Sequence, residues 1–148
     1  ITWMSLDTIA ICLPQLRHLN VSRCIGLKNF STTERTTCFS YWPQLQSIDF
    51  GHLLTLTDND VTIIFNHCTY LKTIIFDNCI QLTDQTMQKL RAHVEQLSLT
   101  NCTNISTAWL LNLNVQCPQL KKLNVSMVKN VNNQCLLHWS EQPFQRLR

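Results

Sequence analysis

The sequence predicts an α/β solenoid, because one short apolar phrase occurs five times along 148 residues. Each copy has an apolar residue at positions one, four and six, and an apolar residue or a cysteine at position nine. The copies begin at Leu16, Leu45, Leu71, Val94 and Leu120, so their starts lie 29, 26, 23 and 26 residues apart. Periods of about 20 to 29 residues with this spacing are typical of stacked leucine-rich repeats. We therefore expect a right-handed, curved leucine-rich-repeat solenoid with a parallel sheet on its concave face and helices on its convex face.

The middle of each phrase predicts a short strand. In Leu97-Ser98-Leu99-Thr100, apolar and polar residues alternate with the two-residue period of a strand that is buried on one side only. A helix-containing crossover separates each strand from the next, so the strands should pair in parallel. Pro-Gln-Leu ends the preceding helix at residues 14–16, 43–45 and 118–120.

Helix-start signals follow each strand. Thr57-Asp58, Thr83-Asp84, Ser106 and Asn132-Asn133 are expected N-termini, and Ser31-Thr32-Thr33-Glu34 matches a capping box. The side chains expected to face inward are Val61, Ile64, Phe65, Met87, Leu90, Trp109, Leu110, Leu113, Leu136 and Leu137.

The whole chain, residues 1–148, is interpreted as one solenoid of about five repeats that continues beyond both ends. Its first residues, including Trp3, Leu6 and Ile9, match the helix of an earlier repeat with no polar cap before it. Pro143-Phe144-Gln145-Arg146-Leu147-Arg148 matches the start of a sixth strand. Terminal repeats of such arrays normally have a polar outer face, which neither end supplies.

The eight cysteines follow the repeat and form no disulfide-framework spacing. Cys24, Cys79 and Cys102 share one phase, where a small buried side chain can donate weakly to backbone carbonyls that lack ladder partners. Free buried thiols favour a reducing, intracellular compartment, either cytoplasmic or nuclear.

Composition and motifs argue against several other functions. The net charge of +3 is too small to predict nucleic-acid binding, and no apolar run is long enough for a membrane helix. The chain has no paired Cys-x-x-Cys ligands and no glycine-rich phosphate loop, so we expect no metal, no cofactor and no enzymatic activity.

One repeat carries a more specific signature. From Cys68 to Asp84 the chain matches Cys-x-x-Leu-Lys-x-Ile-x-Phe-x-x-Cys-x-x-Leu-Thr-Asp, and Cys102 to Ser106 is close to the same pattern. Leu53 and Val128 replace the turn cysteine in two repeats. This pattern resembles the cysteine-containing leucine-rich repeats best known from F-box proteins, the substrate receptors of Skp–cullin–F-box ubiquitin ligases. The resemblance implies a substrate-binding arm, with the Skp adaptor and cullin contacted only through an F-box that these residues do not contain.

The strand alternation indicates which residues are available to a protein partner on the concave face. The candidate binding residues are His18, Asn20, Arg23, Asp49, His52, Thr73, Ile75, Asp77, Gln96, Ser98, Thr100, Lys122, Asn124 and Ser126. Ile75 is apolar where the pattern requires a polar residue. It is either an interface anchor or a tolerated strand-forming residue.

Two alternatives stay open at this point. Five Asn-x-Ser/Thr sequons, at Asn20, Asn29, Asn101, Asn104 and Asn124, are compatible with an extracellular recognition receptor. A scaffolding solenoid without a ubiquitin link fits the same repeats.

Overall fold

The structure, a computed structural model, describes residues 1–27 and 37–148. Short strands alternate with helices along these ranges. The strands are β1 (His18–Asn20), β2 (Ser47–Asp49), β3 (Thr73–Ile75), β4 (Gln96–Ser98) and β5 (Lys122–Asn124). The helices are α1 (Trp3–Cys12), α2 (Thr37–Ser40), α3 (Asp58–His67), α4 (Asp84–Met87), α5 (Thr107–Gln116) and α6 (Asn133–Glu141).

The five strands form one sheet in chain order, and every neighbouring pair is parallel. The strands pair in phase, so that Leu19, Ile48, Ile74, Leu97 and Leu123 lie in one row. A strand followed by a helix and then a parallel neighbour is the arrangement that makes crossovers right-handed. The predicted fold class, a leucine-rich-repeat solenoid, is confirmed.

A continuous apolar core lies between the sheet and the helices. Ile48, Ile74 and Leu97 project into it from the strands and are at most 2% exposed. Behind them, Phe50 and Phe76 stack with ring centroids 6.2 Å apart. Burying one such side chain contributes about 1.5–3 kcal/mol, so the register of the strands is set by the apolar phrase.

The predicted N-caps at Thr57, Thr83, Ser106 and Asn132 are confirmed, each by a side-chain acceptor for a first-turn amide. Helix α4 is shorter than expected, because the third period has only 23 residues and leaves room for about one turn. Leu90 is buried as expected but lies beyond the helix. No helix within the described ranges is long and apolar enough to cross a bilayer.

Three expectations about helices differ from the structure. Helix α1 does have a polar cap, since Thr2 and Ser5 form a capping box. Leu136 and Leu137 are 56% and 63% exposed, whereas Cys135 is buried in their place.

The register of α6 explains the exposed leucines. Leu137 has the phase of Leu111 in α5, which is half-buried and packs against the core. Leu136 has the phase of Leu110, which lies beside the neighbouring helix, but α6 has a helix neighbour on one side only. The expected capping box at residues 31–34 lies outside the described residues.

Aspartates at the starts of α3 and α4 connect the second repeat to the third and the third to the fourth. Asp58 accepts hydrogen bonds from the amide and hydroxyl of Thr83, at 2.9 and 2.6 Å, and from the hydroxyl of Thr86 at 2.5 Å. Asp84 likewise accepts from the amide of Ser106, at 2.8 Å, and from its hydroxyl. Burial favours a raised pKa for Asp58, but the hydrogen bonds from Thr83 and Thr86 outweigh it and lower the pKa.

Cysteine thiols make a second set of links between repeats. The Sγ of Cys79 lies 3.3 Å from the carbonyl oxygen of Phe50, and the Sγ of Cys102 lies 3.1 Å from that of Phe76. Both carbonyls belong to the preceding repeat and come directly after its strand. The predicted contacts from thiol to carbonyl are therefore present in the two repeats, but the carbonyls are not orphans. The Phe50 carbonyl also accepts from the amide of Leu53 at 3.1 Å, and the Phe76 carbonyl accepts from the amide of Cys79 at 2.9 Å.

Candidate strand-face binding site

The outward side chains of the strands form two complete rows across the sheet. The first row contains His18, Ser47, Thr73, Gln96 and Lys122. The second row contains Asn20, Asp49, Ile75, Ser98 and Asn124. Both rows match the positions expected from the alternation of apolar and polar residues. We call this surface the strand face.

A third row continues the surface past the ends of the strands. It contains Ser22, Gly51, Asp77, Thr100 and Ser126. Ladder hydrogen bonds persist here, as from the amide of His52 to the carbonyl of Asp77 at 2.6 Å and from the amide of Asn78 to the carbonyl of Thr100 at 2.7 Å. The backbone that carries the third row is therefore still hydrogen-bonded between neighbouring repeats.

The edge after the third row has an unusual backbone conformation in every repeat. Its residues Arg23, His52, Asn78, Asn101 and Met127 all have φ between 57° and 66°. In this left-handed region asparagine is tolerated better than most residues, because its short polar side chain bonds locally. Asn101 Nδ2 also donates to Asn78 Oδ1 at 2.9 Å. Arg23 and His52 are among the candidate binding residues predicted from the sequence, but their backbone conformation was not predicted.

In three repeats, the second-row side chain also accepts a hydrogen bond from a backbone amide in the turn that follows the strand. Asn20 Oδ1 accepts from the amide of Ser22 at 2.9 Å, and Asn124 Oδ1 accepts from the amide of Ser126 at 3.0 Å. Asp49 Oδ1 does the same for the amide of Gly51 at 2.8 Å. Several candidate binding residues therefore have a structural role as well.

The third and fourth repeats use a different arrangement. Asp77 Oδ1 accepts from the amide of Thr100 at 3.0 Å and from the hydroxyl of Ser98 at 2.6 Å. Ile75 occupies the capping position of the third repeat and has no acceptor to offer to the amide of Asp77. Among the described residues, none accepts a hydrogen bond from that amide.

Charged residues are sparse and separated on this surface. The ion pairs of the described residues lie just before the strands, where Glu95 contacts Lys72 at 3.4 Å and Lys121 at 2.6 Å. The hydrogen bond from Lys121, followed by the contact with Lys72, lowers the pKa of Glu95. Asp49 and Asp77 have no such cationic partner among the described residues.

A shallow depression of about 210 Å³ lies over β3, β4 and β5. The outward residues that line it include Thr73, Ile75, Gln96, Ser98, Lys122 and Asn124. Ile75 is the apolar member of this outward set, and it is half-buried between its neighbours. The depression is large enough for one side chain of a partner but too open to enclose a small molecule.

Four buried cysteines are poorly suited to act as nucleophiles or metal ligands. Burial raises the pKa of Cys68, Cys102 and Cys117 to about 12, and it raises the pKa of Cys79 as well. A thiol needs a lowered pKa to act as a nucleophile or ligand at neutral pH. No group of three or more metal-ligating side chains occurs among the described residues.

The structure thus places all fourteen candidate binding residues on or beside one surface. Sequence reasoning missed the free amide of Asp77 and the role of Asp58 and Asp84 between repeats. The recurring Thr-Asp pair was a usable signal for the second feature, because the same two residues begin both α3 and α4.

Comparison with known proteins supports the fold. No family model matches the sequence, and no curated protein matches it. A chain in the crystal structure of the Rad7 and Elc1 complex in yeast is similar in structure, with a TM-score of 0.65 and 16% sequence identity. The match covers 93% of the present chain but only 39% of the length of that chain. At this identity the likeness concerns the fold alone. Together with the five-stranded parallel sheet, it defines the chain as a leucine-rich-repeat solenoid.

Proposed function

We propose that this chain is a protein-binding module that holds its partner on the strand face. The observation that carries the proposal is the in-phase alignment of five strands, which presents three rows of side chains on one continuous surface. Extended surfaces of this kind are how repeat proteins bind other proteins. The structurally similar chain was itself solved in a complex of two named proteins, Rad7 and Elc1.

We further propose that the module is the substrate-binding region of an F-box ubiquitin-ligase receptor. Support comes from the resemblance in residues 68–84, where Cys79 and Asp84 both make the contacts between repeats described above. In this proposal the chain is not an enzyme, it needs no cofactor, and the Skp adaptor and cullin bind an F-box elsewhere in the protein. The compartment is cytoplasmic or nuclear, which is favoured because none of the eight cysteines forms a disulfide.

The sequons do not favour the extracellular alternative. Asn104 Nδ2 donates to the carbonyl of Ile80 at 2.9 Å, and Asn101 Nδ2 donates to Asn78. A glycan on either nitrogen would remove a contact between neighbouring repeats. Glycans on Asn20 and Asn124 would stand on the strand face itself.

The ligase proposal is tested with the whole protein that contains this chain, purified from its own cells. Co-purification of the Skp adaptor and cullin is expected, together with a protein that accumulates when the receptor is removed. Ile75→Asp should release that protein by about tenfold or more while the adaptor stays bound, because an interface anchor contributes more than about 1.4 kcal/mol.

Asn59→Ala, an exposed change on α3, is the matched control and should leave both interactions intact. Absence of the adaptor from the purified complex would favour the scaffold alternative. Retention of the bound protein by Ile75→Asp would contradict the placement of the partner on the strand face.

A further inference from the structure

The unsatisfied amide of Asp77 is the first of three features that meet on the strand face. The equivalent amides of Ser22, Gly51, Thr100 and Ser126 each donate to a side-chain oxygen. Main-chain amides in folded proteins are nearly always paired, so an exception needs an acceptor from outside the chain, either water or a ligand. The exception arises because Ile75 replaces an asparagine or aspartate.

The second feature is the position of Ile75 itself. It is register partner to Asp49 on one side and to Ser98 on the other. It also lines the depression over β3, β4 and β5. Ile75 therefore supplies an apolar contact, and because it has no acceptor it also leaves the amide of Asp77 without a partner in the chain.

The third feature is negative charge on both sides of Gly51. A Cβ built on Gly51 would lie 3.1 Å from Asp49 Oδ1 and 3.8 Å from the Cβ of Asp77. Gly51 itself is buried, and Asp77 Oδ1 is turned toward Ser98 and Thr100 of the next repeat. Both carboxylates belong to half-buried residues of the strand face. In each of them one oxygen holds a turn amide, and within the described residues neither carboxylate has a cationic partner.

We propose that these features form one docking site for a protein segment that carries a large apolar side chain beside a lysine or arginine. The apolar side chain contacts Ile75 in the depression, and the cation lies beside the carboxylates of Asp49 and Asp77. A carbonyl oxygen of the segment accepts from the amide of Asp77. This inference rests on the proposed function and specifies the chemistry of the partner.

The test uses a phage-displayed random peptide library selected against the 148-residue chain. We expect the selected peptides to combine a large apolar residue with a nearby lysine or arginine. The affinity of a synthetic selected peptide is then measured by fluorescence polarisation against the chain and its variants, at low and at physiological salt.

The double variant Asp49→Asn with Asp77→Asn removes the charge but keeps the oxygen that accepts from each turn amide. Asn20 and Asn124 already perform this role in their own repeats, so the fold should be unaffected. Affinity should fall by up to about fivefold for each carboxylate, and the salt dependence of binding should weaken.

The variant Ile75→Asn supplies the missing acceptor and removes the apolar contact. Peptide affinity should fall by about tenfold or more, whereas the melting temperature should not decrease, since the amide of Asp77 gains a partner. A merely structural role for Ile75 would produce the opposite pair of results, with lower stability and unchanged affinity.

The outcomes separate the two proposals. Peptides that depend on Ile75 but show no preference for basic residues, or that bind the double asparagine variant equally well, overturn the docking inference and leave the strand face as a binding surface. Selected peptides whose binding ignores every strand-face change overturn both.

Discussion

At the residue scale, each of the five repeats has one residue in the left-handed backbone conformation at the end of the strand face. This conformation is energetically unfavourable for most side chains. Arg23, His52 and Met127 adopt a backbone conformation that suits Asn78 and Asn101 better. Met127 is 72% exposed, so no packing of its side chain explains its choice. Nothing in the one-dimensional pattern distinguishes this position, because arginine, histidine and methionine are not typical of left-handed turns.

Met127→Asn should therefore stabilise the chain by about 1 kcal/mol, the lower end of the steric penalty of about 1–2 kcal/mol that most side chains incur in this region. The measurement is the urea concentration at the midpoint of unfolding. Met127→Leu is the control, since leucine keeps the size and has no advantage at positive φ. Equal stabilisation by leucine would show that the backbone is not the cause.

At the element scale, a carboxylate at the first position of one helix holds the start of the next. Asp58 receives hydrogen bonds from two threonines of the following repeat, and it also lies at the positive end of α3. Hydrogen bonds to a charged acceptor are stronger than those between neutral groups. This link explains why a four-residue helix such as α4 keeps its place.

Asp58→Ala should destabilise the chain by about 2 kcal/mol at neutral pH, because it leaves several donors without an acceptor. The pKa of Asp58 is lower in the folded chain than its ordinary value of 3.8. Its contribution is therefore complete above pH 3.8 and is lost as the pH falls through the lower folded pKa. The difference in unfolding free energy between the wild type and the variant should shrink over that interval.

Chemical denaturation at several pH values checks this, with Asn59→Ala as the control on the same helix. Burial raises the pKa of Asp60, so its own contribution changes with pH in the opposite direction. Because Asp60 is present in both proteins, it cancels in the comparison. A difference that stays constant down to the lowest pH would show that Asp58 acts without its charge.

At the scale of the whole molecule, the parallel sheet and its outward rows were predictable from the sequence because a strict apolar period determines which side of each strand is buried. The helix layer was less predictable. Leu136 and Leu137 have helical spacing, but their burial depends on a neighbour that the period does not reveal. The missing partner of the Asp77 amide could not be predicted from the sequence either, since it is recognised only by comparison with the hydrogen bonds of the other four repeats.

The eight thiols provide a test of the fold as a whole. Cys12 is exposed and Cys24 half-buried, whereas the other six are buried. In a native thiol titration only Cys12 and Cys24 should react quickly, and all eight should react after denaturation. Fewer than eight in the denatured chain would reveal disulfides and would contradict an intracellular, reduced protein.

The aspartate link between helices does not extend along the entire array. Thr107 and Asn133 occupy the positions of Asp58 and Asp84, and Thr107 donates to the carbonyl of Asn130 at 3.0 Å instead. The junction between the fourth and fifth repeats therefore lacks the hydrogen bonds to an aspartate carboxylate that the two preceding junctions have. Under mechanical tension this junction should separate at lower force than the two before it. The last repeat would then unfold first, while the repeats around Ile75 stay folded.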